Sequence, residues 1–144
     1  MYRTVEALLG AKGRSVFSVA PGVTVYDAVS TMNQHDIGSI VVTEGDRLLG
    51  IFTERDVLRR IVGAGVDPQR TLVAQVMTPN PITIPPYITL QEVVDIVEEK
   101  RCRHLPVMVG SRVQAIISLR DVTRWVAESH REEAAHLKSY ISGG

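Results

Sequence analysis

GIFTERD at residues 50–56 and AIISLRD at residues 115–121 spell nearly the same strand-to-helix junction sixty-five residues apart, and both end on Arg-Asp. Sliding the chain on itself by that interval aligns residues 16–60 with 81–125 without a gap. Pro21/Pro86, Thr24/Thr89, Val29/Val94, Val42/Val107, Gly45/Gly110, Arg47/Arg112, Ile51/Ile116 and Val57/Val122 are identical pairs, and Asp27/Glu92 and Thr53/Ser118 are conservative ones. The lead-ins TVEALLG from Thr4 and TLVAQVM from Thr71 also correspond once two residues are inserted ahead of Val16. Two copies are too few for a solenoid and suit a pseudo-twofold pair.

Each copy reads alike. A short apolar segment (17–19; 82–84) runs to proline, and Thr24 or Thr89 stands where an N-cap belongs. A helix over 25–34 follows, with Val25, Ala28, Val29 and Met32 on one face; Leu90, Val93, Val94 and Val97 repeat it. Two β-branched runs joined by TEGD, and in the second copy by GS, read as a hairpin. A second helix starts at Glu54 or Leu119. The fold class is therefore mixed α/β, a tandem pair of β-α-β-β-α repeats with pseudo-twofold symmetry. The division places the first repeat with its helical lead-in at 1–62, a connector at 63–70, the second repeat at 71–128 and a helical extension at 129–144. Neither repeat is large enough to bury a sheet face alone, so the halves are expected to pack together.

Composition narrows the function classes. Sixteen basic and sixteen acidic residues among 144 leave no net charge, so the broad positive field of nucleic-acid or anionic-membrane binding is missing. Cys102 is the single cysteine, which excludes an internal disulfide and fits a reducing compartment. No signal peptide, transit peptide or membrane-spanning run is legible, so a soluble cytoplasmic protein is expected.

The junction admits two readings. Ser/Thr-x-x-Asp is a variant capping box, which needs no ligand. The same geometry suits a nucleoside: an Asp in the first helical turn repels phosphate laid on it, but its two acceptor oxygens match the paired hydroxyls of a ribose.

Two such signatures in a complete duplication resemble a CBS-domain pair, named for cystathionine β-synthase, over nearly the whole chain. GIFTERD and AIISLRD look like the family's Gly-h-x-Ser/Thr-x-x-Asp signature. VMTPNPITI at 76–84 looks like its lead-in and RHLPV at 103–107 like its central strand; SHREEAAHLKSYISGG at 129–144 is similar to short stand-alone pairs. The resemblance implies a regulatory sensor of adenosine-containing ligands such as AMP, ADP, ATP, NAD or S-adenosylmethionine, with no required cofactor and no catalysis. It implies ribose contacts at Asp56 and Asp121 with Thr53 and Ser118 beside them, and adenine neighbours at Ser18, Ile37, Thr83 and Cys102. It also implies a homodimer formed through helices and a regulated protein that the chain does not identify.

The copies differ where the family places phosphate contacts. The second has Arg103 and His104, the first Gly38 and Ser39, so the Asp121 site is expected to take a mononucleotide phosphate best and the Asp56 site to be weaker or to accept a dinucleotide. Ala115 replaces the signature glycine. Arg55 and Arg120 either reach phosphate or pair with acidic neighbours on the helix surface. His130, Glu133 and His136 lack the spacing of a zinc site, and Cys102 has no identifiable base to make it a nucleophile. A ligand-free scaffold whose Asp residues only cap helices is the alternative function; a nucleotide-acting enzyme is a further one, against which stands the lack of a P-loop, a triad or paired carboxylates.

Overall fold

The computed structural model describes residues 3–13 and 16–142; the first copy adopts the order read from the sequence, and the second adopts it apart from its first strand. In the first, β1 (Ser18–Val19) leads to α2 (Val25–His35), the hairpin β2 (Ser39–Glu44) and β3 (Arg47–Thr53), and then α3 (Glu54–Asp56). α3 runs on into a wider π-helical turn, Val57–Val62, marked by bonds such as the Gly63 N–H to the Leu58 carbonyl, 2.8 Å. In the second copy α5 (Leu90–Lys100), β5 (His104–Val109) and β6 (Arg112–Ser118) repeat the series, and α6 (Leu119–Ser142) is the longest helix described. The expected β1 counterpart shrinks to a single parallel bridge, Ile84 to Val107. Gly143 and Gly144, the end of the helical extension read at 129–144, lie outside the described residues.

Local chemistry explains the boundaries. The Asp27 and Glu92 N–H groups donate to the hydroxyls of Thr24 and Thr89 at 3.1 Å, so the threonines cap as expected. Both hairpins turn through a glycine at positive φ, Gly45 at 59° and Gly110 at 60°, a region open to glycine without steric penalty. Both carry a register shift at the same place, between Val42 and Thr43 and between Val107 and Met108, so even this irregularity is duplicated.

The lead-ins are exchanged. α1 (Val5–Lys12) belongs by sequence to the first repeat, but Val5, Leu8 and Leu9 are buried in the second core with Leu105, Ile117 and Trp125. Reciprocally, α4 (Val73–Val76) sends Val73 into the first core with Met32, Ile40 and Phe52. Backbone bonds fix the exchange: the Val5 N–H reaches the Ile88 carbonyl at 3.1 Å, and the Val73 N–H reaches the Val23 carbonyl at 2.8 Å. A repeat too small to cover its own sheet is completed by its neighbour's first helix. β4 (Thr78–Pro79) then joins the first sheet, antiparallel to β3, giving the order β1-β2-β3-β4. That crossing explains Gly50: a Cβ there would lie 2.6 Å from Met77 Sδ and 2.7 Å from the Thr78 carbonyl oxygen. Ala115 stands at the corresponding position and is buried in the second core.

Candidate functional site

Both junctions realise the capping box. The Asp56 N–H donates to Thr53 Oγ1 at 3.2 Å while the Thr53 N–H donates to Asp56 Oδ2 at 3.0 Å. The copy matches closely: Asp121 N–H to Ser118 Oγ, 3.1 Å, and Ser118 N–H to Asp121 Oδ2, 2.9 Å. The first residue of each helix is tied the same way, Glu54 N–H to the Gly38 carbonyl at 3.0 Å and Leu119 N–H to the Arg103 carbonyl at 2.7 Å. The twin Asp residues are thus structural caps, whatever else they do.

Asp56 carries more than the cap. It is only 7% exposed, and its other oxygen, Oδ1, accepts from Thr78 Oγ1 at 3.3 Å and faces Arg60 Nε at 3.6 Å. It opens onto a cleft of about 420 Å³ built by both repeats. Ile51, Thr53, Glu54, Arg55 and Asp56 form the first-repeat wall; Thr78 to Ile82 by way of Asn80, then Lys100, Arg101, Cys102, Arg103 and His104, form the other. Arg103 and His104, expected to serve Asp121, also line this cleft of the opposite repeat's carboxylate. On their other side the same two residues border an open trough of about 750 Å³ with Gly38, Glu54, Ser118, Arg120 and Arg124.

The electrostatics follow from this crossing. Burial lowers the His104 pKa, with Arg103 adding to that effect, while Glu54, Asp121 and Asp56 oppose it. Loss of water thus disfavours the imidazolium, and the three carboxylates offset part of that cost. Loss of water, then the charges of Arg103 and Arg59, lower Arg55 from its ordinary value, which marks a local excess of cations at the cleft. Burial pushes the Cys102 thiol up, in keeping with an unreactive wall residue.

The remaining expected residues spread along the interface between repeats. Thr83 lines an adjoining open cleft of about 660 Å³ that shares Asn80 and Pro81 and faces Asp46 and Arg47 of the first hairpin. Ser18 lies in a related depression opposite Arg112 and Val113. Ile37 packs against the first core, and Ser39 is buried at the start of β2. Sequence reading missed Arg60, Thr78, Asn80, Ile82, Lys100 and Arg101. The i,i+4 spacing of Asp56 and Arg60 was the available signal for one of them; the others reach the site only through the crossing.

Among the described residues, no group of three or more His, Cys, Asp or Glu could hold a metal ion. Among the same residues no helix is long and apolar enough to cross a membrane.

The fold and its crossed cleft define a class: a two-repeat module with a cleft lined by residues of both halves. The CBS domain family model matches residues 13–63 and 73–128, so the chain belongs to the CBS domain family, whose members are generally regulatory ligand-binding modules. It is similar to the CBS domain-containing protein CBSX3, mitochondrial, of Arabidopsis thaliana, 36% identical over 98% of this chain and 73% of that protein. Two solved structures resemble it: a CBS-domain-containing protein from Agrobacterium tumefaciens, 38% identical, TM-score 0.80, covering 86% of this chain and 93% of that one; and a protein with CBS domains from Burkholderia ambifaria, 34% identical, TM-score 0.81, covering 85% and 93%.

Proposed function

We propose that this protein is a regulatory adenine-nucleotide sensor and that its Asp56 cleft takes the nucleotide phosphate. One observation carries the reading: a ribose-matching carboxylate, an apolar wall and a cluster of cations share one cleft of a volume usual for small-molecule sites. Asp56 accepts from the ribose hydroxyls; Ile82 and Cys102 flank the base; Arg103, with Lys100 and Arg101 at the rim, meets the phosphate. A carboxylate repels phosphate, so the ligand's anionic end points away from Asp56 toward Arg103. The Asp121 side is the weaker phosphate site, because His35, Asp36 and Gly38 stand where the other side has Lys100, Arg101 and Arg103. AMP, ADP, ATP, NAD and S-adenosylmethionine are the candidate ligands. Occupancy changes the angle between repeats, or between protomers of a homodimer joined through helices, and a partner protein reads the difference.

The scaffold reading has its own support, since both carboxylates already cap helices. A thermal titration of nucleotide-free protein with the five candidates, on wild type, Asp56→Ala and Asp121→Ala, separates the two. A binding ligand at hundredfold excess over its dissociation constant adds about 2.7 kcal/mol. The sensor predicts a ligand-specific shift that Asp56→Ala abolishes. Absence of any shift leaves a scaffold.

A further inference from the structure

We infer that Arg60 is a positioning residue for the Asp56 cleft, acting through the carboxylate and through the strand that forms the opposite wall. Its Nη1 donates to the carbonyls of Val76 and Met77 at 3.1 and 2.9 Å, while its Nε faces Asp56 Oδ1 at 3.6 Å. Those carbonyls close α4, where helical carbonyls lack partners of their own. The next residue is Thr78, whose hydroxyl returns to Asp56 Oδ1 at 3.3 Å. A closed frame therefore runs from Asp56 through Arg60 to Met77 and Thr78 and back. From Thr78 the chain passes directly into Asn80, Pro81 and Ile82, which line the cleft.

The chemistry suits a site that needs both firmness and spare capacity. Oδ2 is committed to the Thr53 N–H at 3.0 Å, whereas both contacts to Oδ1 are long, so Oδ1 remains able to accept from a ribose hydroxyl. Arg60 sets how far that oxygen stands from the wall against which the base lies. A planar guanidinium holds two carbonyls with one nitrogen while another nitrogen, fixed in the same plane, faces the carboxylate; an ammonium has a single nitrogen for all three. The duplication gives an internal contrast: Trp125 occupies the matching position of the second repeat, buried, with an indole N–H that meets no partner among the described residues. The frame is a property of the first repeat.

This role rests on the nucleotide reading, and its test uses adenosine, which has no phosphate and so does not report the loss of a cation at a phosphate site. Calorimetric titrations compare Arg60→Met, Arg60→Lys, Asp56→Asn and the double variant Asp56→Asn/Arg60→Met, all in an Asp121→Asn background that retains the second cap. Circular dichroism and thermal midpoints check folding. Arg60→Met is expected to weaken adenosine at least about tenfold, the scale of one lost charge-assisted contact. Arg60→Lys restores little of it, and once Asp56→Asn is present, adding Arg60→Met weakens adenosine by clearly less than it does in the parent, the remainder being the part carried by the Val76 and Met77 carbonyls. Unchanged affinity in folded Arg60→Met, full rescue by lysine, or an equal loss with Asp56→Asn present would overturn the positioning role while leaving nucleotide binding intact. A parent protein that binds no adenosine would remove the nucleotide reading and this role with it.

Discussion

Replacing Asp56 by alanine is expected to destabilise the ligand-free protein by about 2 kcal/mol, even though the proposed role of Asp56 is to bind. Loss of a helix-capping side chain costs about 1 kcal/mol. The half-buried Thr78 hydroxyl loses a charged acceptor at 3.3 Å, a long contact contributing about 1 kcal/mol. Arg60 adds a few tenths of a kcal/mol at most, because its side chain is 47% exposed and 3.6 Å away. For a chain of this size the midpoint should fall by roughly 4–8 °C. Asp56→Asn keeps a carbonyl oxygen for the Thr53 N–H and should lose about half as much. Thr78→Val should cost about 1 kcal/mol, and the double variant should be less destabilised than the sum, since both single changes break one bond. Urea unfolding of the wild type, the three single variants and the Asp56→Ala/Thr78→Val double variant without nucleotide reads this directly. An Asp56→Ala protein as stable as wild type, or strict additivity with Thr78→Val, would refute the reasoning that one network both holds the fold and shapes the cleft.

Other expectations follow from single contacts. Leu9→Ala, at a position 1% exposed in the second core, should cost about 2–5 kcal/mol; amide exchange should show the second repeat loosened before the first, whereas a uniform effect would contradict the exchanged lead-ins. Gly50→Ala should cost about 1–3 kcal/mol in thermal unfolding, because the Thr78 carbonyl 2.7 Å from the new Cβ is backbone and cannot swing aside. His104 has its folded pKa below the ordinary 6.5, so between those values the unfolded chain binds more protons and stability falls as pH drops from about 6.5. Chemical denaturation across that range should show the slope in wild type and lose it in His104→Asn.

The duplication made much of the fold legible. Gap-free register fixed the element order, Thr24 and Thr89 marked helix starts, and the paired glycines marked the hairpins, since each rests on local chemistry that sequence carries. The exchanged lead-ins were not legible: Val5 and Val73 show an apolar pattern, and pattern does not say whose sheet it covers. The same limit hid the second side of Arg103 and His104. Alignment of copies ranks them beside Asp121, and the packing of the repeats also places them in the Asp56 cleft. The π-helical turn at Val57–Val62 also escaped, because its apolar residues fit an α-helical period as well. Thr78 stands outside the repeated motif and meets Asp56 only once β4 has crossed onto β3.

The most direct test of the central claim is a calorimetric AMP titration of nucleotide-free wild type, Asp56→Asn and Asp121→Asn, both variants retaining an acceptor for the helix cap. The account predicts that AMP binds wild type, that Asp56→Asn removes the tighter event, and that Asp121→Asn leaves it. AMP binding lost only in Asp121→Asn would contradict the crossed assignment of the cations, and no binding to wild type would leave the twin carboxylates as helix caps alone.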